Sequence, residues 1–288
     1  MRPLSVRLLR NIRNPLQFID WTRYQFSRGN DVYLSTLPSS GTHWLRFLIA
    51  KGIVDAYDLD YAFTDIRPES VVPTFRDKTA RFAFNDHTDI PRVQHTHKPY
   101  SVLLRGGRVI VLVRDLRDTM VSSYDTYSEH KNGSITFSEF LRADGVDEKR
   151  HRTLEWRIDF LNQWHRNWDN VDDHLCVKYE VLKRDTHGVT QDVLEFIGLD
   201  NVSDALVSRV TEFCDIDHMR YIEEHGEANP DILGDPNEQV KPAGEGAKIN
   251  EGTIHRYRDY FDESDKRYFK RLVDERLEDY FGYDYGNF

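Results

Sequence analysis

Residues 31–56, DVYLSTL followed by PSSGTHW and LRFLIAKGIVDA, decide the fold. Residues 31–37 are rich in apolar and β-branched side chains, which is typical of a buried strand. Apolar residues then recur at helical spacing, and this predicts a helix over 42–56. A short turn of small and hydroxyl-bearing residues around Gly41 joins the two. A strand that enters a helix through such a turn is the repeating unit of a parallel sheet covered by helices.

The same pattern returns further along the chain. Residues 108–113, RVIVLV, predict a second buried strand with a helix over 116–127 directly after it, and 174–179 predict a third strand. We therefore expect an α/β protein with a central, mainly parallel sheet that is flanked by helices on both faces. We predict a single domain over residues 1–288, because no internal repeat and no Gly/Ser-rich linker divides the chain.

Two aromatic patterns predict helices that pack on this sheet. Side chains that recur at helical spacing usually form the buried face of a helix. The first helix is predicted to carry Trp156, Phe160, Trp164 and Trp168. The inner face of a second, terminal helix is predicted to carry Phe269, Leu272, Val273, Leu277, Tyr280 and Phe281.

Composition excludes several classes of protein. The 288 residues carry a formal charge of -10, with 39 Lys+Arg against 49 Asp+Glu, which argues against nucleic acid as a partner. Cys176 and Cys214 lie far apart without ligand-like neighbours, so neither a disulfide scaffold nor a metal site is expected. The N-terminus lacks the apolar core of a signal peptide, and no segment approaches the roughly 20 apolar residues of a membrane span. We expect a cytoplasmic protein.

Two segments each allow two interpretations. Residues 1–30 alternate Arg2, Arg7, Arg10 and Arg13 with apolar side chains, as in a helix packed on the domain or one that contacts an anionic membrane surface. Residues 225–252 are rich in Gly, Pro, Asn and acidic residues. Such a long loop is either a lid over a site or a surface excursion.

The turn between the first strand and helix is suited to an anion. Backbone N–H groups converge at the start of a helix, its dipole adds partial positive charge, and Gly41 permits close approach. Ser40 and Thr42 can add hydroxyl donors. The alternative is an ordinary turn in which Ser or Thr caps the helix. The lysine of the G-x-x-x-x-G-K-[ST] motif is absent, so the metal-dependent nucleoside-triphosphate version of such a site is not expected.

This turn and a second segment resemble the PAPS-dependent sulfotransferase family. Loop 38–44 (Pro38-Ser39-Ser40-Gly41-Thr42-His43-Trp44) is similar to the family's 5′-phosphosulfate loop, Pro-Lys-Ser-Gly-Thr-Thr-Trp. Residues 108–124 resemble its 3′-phosphate motif, with Arg114 and Ser122 at the phosphate-binding positions. The resemblance implies a three-layer, P-loop-like fold and 3′-phosphoadenosine 5′-phosphosulfate (PAPS) as donor, without a metal. It also implies that Ser39, Ser40, Gly41, Thr42, His43 and Trp44 contact the nucleotide.

Further segments extend the resemblance along most of the chain. Tyr179, in Val-Lys-Tyr-Glu, falls where the family has a tyrosine that contacts the adenine, and Trp44 would pack on the same base. The C-terminal nucleotide motif is matched around Lys248 and Gly252, with Asn250 and Glu251 in place of its basic pair. Basic residues that can compensate there are Lys248, Arg256 and Arg258.

Residues 92–99 resemble the family segment that carries the general base, which implies that role for His97. Histidine suits this role because its ordinary pKa is about 6.5, so neutral imidazole is available near pH 7. Residues two apart in an extended chain share one side, so His95 lies beside His97, where the family has a lysine. Ser39 replaces a second family lysine, one that steadies the leaving phosphate.

Three explanations for these missing cations remain open. His43 or His95 supplies the charge when it is protonated, or a lysine such as Lys98 or Lys248 reaches the site, or the protein has weak or no activity. Fixed positive groups near a leaving group that gains charge stabilise the transition state strongly, so the distinction bears on rate.

The resemblance implies sulfuryl transfer from PAPS to the hydroxyl of a small molecule, a glycan or a lipid. One alternative is a catalytically inactive protein that binds PAPS or its product PAP (adenosine 3′,5′-bisphosphate). Another is an ATP-dependent P-loop phosphotransferase. Six aromatic residues are candidates for either the acceptor pocket or the core: Tyr57, Tyr61, Phe63, Phe82, Phe84 and Tyr124.

Overall fold

The computed structural model describes residues 31–63, 68–74, 82, 84, 87–130, 135–146, 152–225 and 252–288. Residues 1–30 therefore lie outside the described residues, as does all of the predicted lid between His225 and Gly252. Lys248, which was considered as a nucleotide contact and as a replacement cation, falls in that second segment.

Four parallel strands form the sheet of the described structure. They are β1 (Val32–Thr36), β2 (Val93–Thr96), β3 (Arg108–Val113) and β4 (Asp173–Lys178), in the spatial order β2-β1-β3-β4. Val32 of β1 pairs with Val93 on one side and with Arg108 on the other. The predicted parallel sheet is confirmed, and the strand predicted over 108–113 has those bounds.

Nine α-helices accompany the sheet in the described parts of the chain. The helices that follow the predicted strands begin where the sequence indicates, at Thr42 and Leu116. In chain order they are α1 (Thr42–Ala56), α2 (Leu116–His130), α3 (Phe137–Leu141), α4 (Leu154–His165), α5 (Tyr179–Arg184), α6 (Thr186–Phe196), α7 (Asp204–Phe213), α8 (Ile216–His225) and α9 (Glu263–Arg276).

Two hydrophobic cores lie on opposite faces of the sheet. Leu34 and Ile110 join α1, α5, α6, α7 and α8 in the first core, and Tyr33 and Val111 join α2, α3, α4 and α9 in the second. Successive strand residues point to opposite faces, so strands covered on both sides have near-continuous apolar sequences, as RVIVLV has. The predicted three layers, helices–sheet–helices, are confirmed.

The order of the strands opens a crevice between β1 and β3. The chain leaves β1 through α1 to reach β2 at one side, and it leaves β3 through α2, α3 and α4 to reach β4 at the other. Connections that run in opposite directions from neighbouring parallel strands leave a gap at the strands' carboxyl ends, where ligands bind in open α/β sheets. The loops that follow Thr36 and Val113 border this gap.

Three predicted elements, two helices and one strand, end at other residues than the sequence indicated. Helix α4 stops at His165, so Trp168 lies in a separate 3-10 turn, where its ring stacks on His174 with 4.4 Å between ring centroids. Helix α9 stops at Arg276, which leaves Tyr280 and Phe281 in the following segment. Tyr179, predicted as the end of a strand, is the first residue of α5.

Cys176 and Cys214 are both free in the described structure. Within the part of the chain that the structure describes, each helix is too short or too polar to cross a bilayer.

Candidate active site

A cavity of about 360 Å³ lies at the carboxyl ends of β1 and β3. Of the predicted site residues that the structure describes, all line it apart from Ser40 and His95. The cavity is lined by Pro38, Ser39, Gly41, Thr42, His43, Trp44, His97, Arg114, Ser122, Thr126, Tyr179, Ile216, Met219, Gly252, Thr253 and Arg256. Residues separated by more than 200 positions in sequence therefore meet where the topology opens the sheet.

Gly41 determines the path of loop 38–44. Its φ of 89° lies in the left-handed region, and a Cβ built on it would approach Cδ2 of Tyr179 to 2.5 Å. Glycine alone tolerates both conditions without strain. No side chain of the described residues caps α1, which begins at Thr42, so its first N–H groups remain for an anion.

The hydroxyl groups of Ser40 and Thr42 do not serve as the anion donors that the sequence analysis expected. Ser40 is fully buried and its hydroxyl donates to the carbonyl of Leu37. The Thr42 hydroxyl donates to Oγ1 of Thr36 at 3.0 Å. Each hydroxyl carries a single proton, and these protons are used inside the loop. Their backbone N–H groups are the donors that remain.

Arg114 links the two loops that border the crevice. Its Nη1 donates to the carbonyl of Ser39 and its Nη2 to that of Thr253, both at 3.1 Å, and its guanidinium lies 4.3 Å from the ring centroid of Tyr179. Asp118 lies 3.9 Å away. The buried Nε of Arg114 has no hydrogen-bond partner among the described residues. A buried donor without a partner is costly, and Arg114 also lines the cavity, so the site favours an anionic ligand beside this residue.

Two aromatic rings face the cavity from different elements. Trp44 and Tyr179 lie 6.2 Å apart between ring centroids, at an interplanar angle of 70°. The indole nitrogen of Trp44 donates to the carbonyl of Cys214 at 2.9 Å, and the Tyr179 hydroxyl donates to that of Gly252 at 3.3 Å. Burial raises the pKa of Tyr179, so the phenol stays protonated. Both rings are held in place by hydrogen bonds from their polar groups, and Arg114 lies over one face of Tyr179.

The backbone fixes the tautomer of His97. Its Nδ1 lies 3.0 Å from the carbonyl oxygen of Thr36 and 3.0 Å from the hydroxyl oxygen of the same residue. A carbonyl oxygen only accepts, so Nδ1 carries the proton and Nε2 is the nitrogen that can accept one. This arrangement is suited to a general base in the cavity.

His95 lies behind His97 rather than in the cavity. The two rings are 4.6 Å apart, and Nε2 of His95 lies 2.9 Å from Oγ1 of Thr36. Burial holds the pKa of His95 well below its ordinary value, and His97, Arg46 and His43 lower it further. His95 is therefore neutral at pH 7. A neutral His95 gives no support to the explanation in which a protonated His95 replaces the missing lysine.

Several cavity residues were missed by motif analysis, namely Thr126, Ile216, Met219 and Thr253. Arg256, considered as a compensating cation, does line the cavity and pairs with Asp125 at 2.7 Å. Lys98 is not among the lining residues. Ile216 and Met219 belong to the apolar face of α8, so their spacing alone predicts core packing.

The aromatic residues considered as pocket walls lie elsewhere in the described structure. Phe63 is buried, 5.1 Å from the ring of Phe47 between centroids, and Tyr61 packs on it at 4.9 Å. Tyr124 packs against Phe137 in the second core. None of the described members of this group lines the cavity. Of their two interpretations, the structure favours the core.

The fold and the cavity define the class of protein: an α/β protein whose polar ligand site lies at the carboxyl edge of a parallel sheet, between two helix starts. No group of His, Cys, Asp and Glu side chains suited to a metal ion occurs among the described residues. Comparison with known proteins then gives the family. The chain belongs to the sulfotransferase domain family, whose model matches residues 29–281. It is an enzyme of that family.

Individual relatives are distant but cover most of the chain. One is flavonol 4′-sulfotransferase from Flaveria chlorifolia, 22% identical, with 87% of this chain and 80% of that protein aligned. Among solved structures, mouse sulfotransferase SULT7A1 complexed with PAP superposes with a TM-score of 0.57, at 20% identity over 88% of this chain and 86% of that one. Retinol dehydratase in complex with androsterone and PAP superposes with a TM-score of 0.60, at 20% identity, and the alignment covers 94% of this chain and 88% of that one. The expected P-loop-like fold is confirmed.

We predict that Gly41→Ala destabilises the protein more than Gly145→Ala does. Both glycines have left-handed φ values, so alanine costs about 1–2 kcal/mol of conformational energy at either position. Only at Gly41 does the new methyl group meet a ring, and overpacking of this kind adds about 1–3 kcal/mol. Urea unfolding of both variants measures the difference. Equal losses would show that the loop moves away from Tyr179 without cost.

We also predict that His95 makes stability fall with acidification. Its pKa is lowered in the folded state, so below about pH 6.5 the unfolded chain binds a proton that the folded chain does not. This contributes up to about 1.4 kcal/mol of lost stability per pH unit. Unfolding free energies between pH 7 and pH 5 should have a shallower slope for His95→Gln. Exposed His165→Gln is the control, and an unchanged slope for His95→Gln contradicts the assignment.

Proposed function

We propose that this enzyme transfers a sulfuryl group from PAPS to the hydroxyl group of a small-molecule acceptor. The observation that carries the proposal is the bridge made by Arg114, which lies between the two helix starts and whose buried Nε has no partner among the described residues. A ligand with anionic groups at two ends fits such a cavity better than a ligand with one. His97 supplies a proton acceptor in the same space.

The chain would hold the nucleotide at three places. The N–H groups of loop 38–44 and the first turn of α1 would bind the 5′-phosphosulfate. Arg114 and Ser122 would bind the 3′-phosphate, since a guanidinium can donate to two phosphate oxygens at once. Trp44 and Tyr179 would contact the adenine. PAPS, when bound, supplies the sulfuryl group.

The acceptor hydroxyl would lose its proton to His97. Nε2 is the accepting nitrogen, while Nδ1–H donates to the Thr36 carbonyl, so the ring is already oriented and its charged form keeps a hydrogen bond. Holding the acceptor beside this nitrogen removes much of the entropic cost of the reaction. In this scheme the residues act by position, with no metal ion.

A small, partly apolar acceptor fits the wall of the cavity that Ile216 and Met219 form. The names of the relatives point the same way: one is a flavonol sulfotransferase, and one solved structure contains androsterone. Glycan and lipid hydroxyls are the competing acceptors, and a panel of all three kinds distinguishes them.

The direct test is transfer of labelled sulfate from PAPS to this panel, accompanied by thermal unfolding with different nucleotides. A ligand at about 100 times its dissociation constant stabilises the folded state by roughly 2.7 kcal/mol. Stabilisation by PAP together with transfer supports the proposal. Stabilisation by PAP without transfer to any acceptor indicates an inactive binding protein, and stabilisation by ATP with magnesium alone indicates a phosphotransferase.

We predict that two substitutions affect different properties, one turnover and the other nucleotide binding. His97→Ala should reduce turnover by about 100-fold or more, the usual contribution of a general base, and leave the dissociation constant of PAP nearly unchanged. Arg114→Ala should weaken PAP binding by about tenfold or more, because it removes a charged donor to phosphate. Calorimetry measures binding and the sulfate assay measures turnover. Full activity of His97→Ala would exclude it as the base.

A further inference from the structure

Arg157 is a buried cation that the proposed reaction does not yet use. It lies in the first turn of α4, and the residue is 1% exposed. Its Nη1 donates to the carbonyl of Pro38 at 2.6 Å, its Nη2 to the hydroxyl of Ser123, and its Nε to the carbonyl of Arg152 at 3.1 Å. The guanidinium therefore lies directly behind loop 38–44.

Arg157 differs from other buried arginines, whose charges are balanced by a nearby carboxylate. Arg46 pairs with Glu69 at 3.1 Å, and Arg117 pairs with Asp115 at 2.7 Å. No carboxylate of the described residues lies within 4 Å of Arg157, and its three acceptors are uncharged. Burial of an ion without a countercharge is costly, so its retention here calls for a compensating anion.

Arg157 remains positively charged despite its surroundings. Burial lowers the pKa of Arg157 to about 9, and the nearby Arg152 contributes to the same shift. At pH 7 the guanidinium is still protonated. A fixed charge in such a dry environment acts over a longer distance than one in water, so its field reaches the far side of the loop.

A second route connects Arg157 to the cavity through two hydroxyl groups. The Ser123 oxygen accepts from Arg157 and lies 2.8 Å from Oγ of Ser39, which lines the cavity. A hydroxyl that accepts a hydrogen bond can still donate one, so Ser123 can donate its own proton to Ser39. The Ser39 proton is then left for an anion in the cavity.

We propose that Arg157 is a positioning residue for the anionic 5′ end of the nucleotide, supplying positive charge from behind loop 38–44 and directing the Ser39 hydroxyl toward the ligand. It does not line the cavity and so acts through Pro38, Ser123 and Ser39. This inference rests on the proposed function, since it requires the 5′ end of PAPS to bind at this loop. It also identifies a cation that serves the loop although position 39 is serine.

The test compares two ligands that differ only at the 5′ end. PAP carries a 5′-phosphate and adenosine 3′-monophosphate does not, so only PAP probes the loop. In Arg157→Gln we expect the PAP dissociation constant to rise about tenfold, as for one unit charge acting at roughly 10 Å through an effective dielectric constant of about 20. The constant for the 3′-monophosphate should change little. Arg157→Lys should recover most of the PAP affinity, because it keeps the charge.

Two further variants separate this role from a general loss of structure. Arg92→Gln removes another largely buried arginine, one that pairs with Asp31 at the amino ends of β1 and β2. This variant should leave the affinities for both ligands unchanged. Ser123→Ala breaks the hydroxyl route and keeps the charge. It should weaken PAP binding more than binding of the 3′-monophosphate, and it decides the matter if Arg157→Gln fails to fold.

Each outcome has a distinct meaning. Equal weakening of both ligands in Arg157→Gln, no weakening of PAP, or no recovery in Arg157→Lys would overturn the role of Arg157. A wild-type protein that binds neither ligand would remove the proposed function, and the role of Arg157 with it. Tight binding of PAP by the wild type, with a selective loss in Arg157→Gln, supports both.

Discussion

The parallel pairing of β1 with β3 is the constraint on which the site depends. Its register continues to the last residues, with Thr36 opposite Leu112 and the Leu37 N–H bonded to the Leu112 carbonyl at 3.0 Å. The two strands therefore release their loops at the same level of the sheet. Arg114 consequently reaches the carbonyl of Ser39, although 75 positions separate them in sequence. The apolar cores on both faces fix this register, because a slip would exchange their buried side chains.

Thr36 organises the polar groups at the end of β1. Its hydroxyl lies within 3.0 Å of His95, His97 and the Thr42 hydroxyl, and its carbonyl holds His97 as well. With Nδ1 of His97 and the Thr42 hydroxyl as donors, the Thr36 proton is directed to His95, which matches a neutral His95. The orientation of the His97 ring, the proposed general base, thus follows from contacts at the end of β1. The proposed catalytic and nucleotide-binding parts of the cavity therefore meet at the end of β1.

Sequence patterns predicted what depends on local order. The strand over 108–113, the starts of α1 and α2, and the residues around Gly41 follow from periodicity and turn chemistry over a few positions. Trp168 continues the sequence spacing of α4, but its ring stacks on His174 of β4 instead. Periodicity within one segment cannot predict a contact with another segment. The sequence suggests the Ser40 hydroxyl as an anion donor, but in the structure it donates to the carbonyl of Leu37. Arg157 has no motif, because its partner in loop 38–44 lies 119 positions away.

The buried Nε of Arg114 has a consequence for the lifetime of the protein. This nitrogen is shielded from water and has no acceptor in the part of the chain that the structure describes, which lowers the free energy of unfolding. An anion that binds beside Arg114 raises the free energy of unfolding with the logarithm of its concentration, once that concentration exceeds the dissociation constant. If that anion is the proposed nucleotide, the fraction of chains open to proteases in a cell falls as the nucleotide pool rises. The supply of PAPS would then govern the abundance of the enzyme as well as its rate.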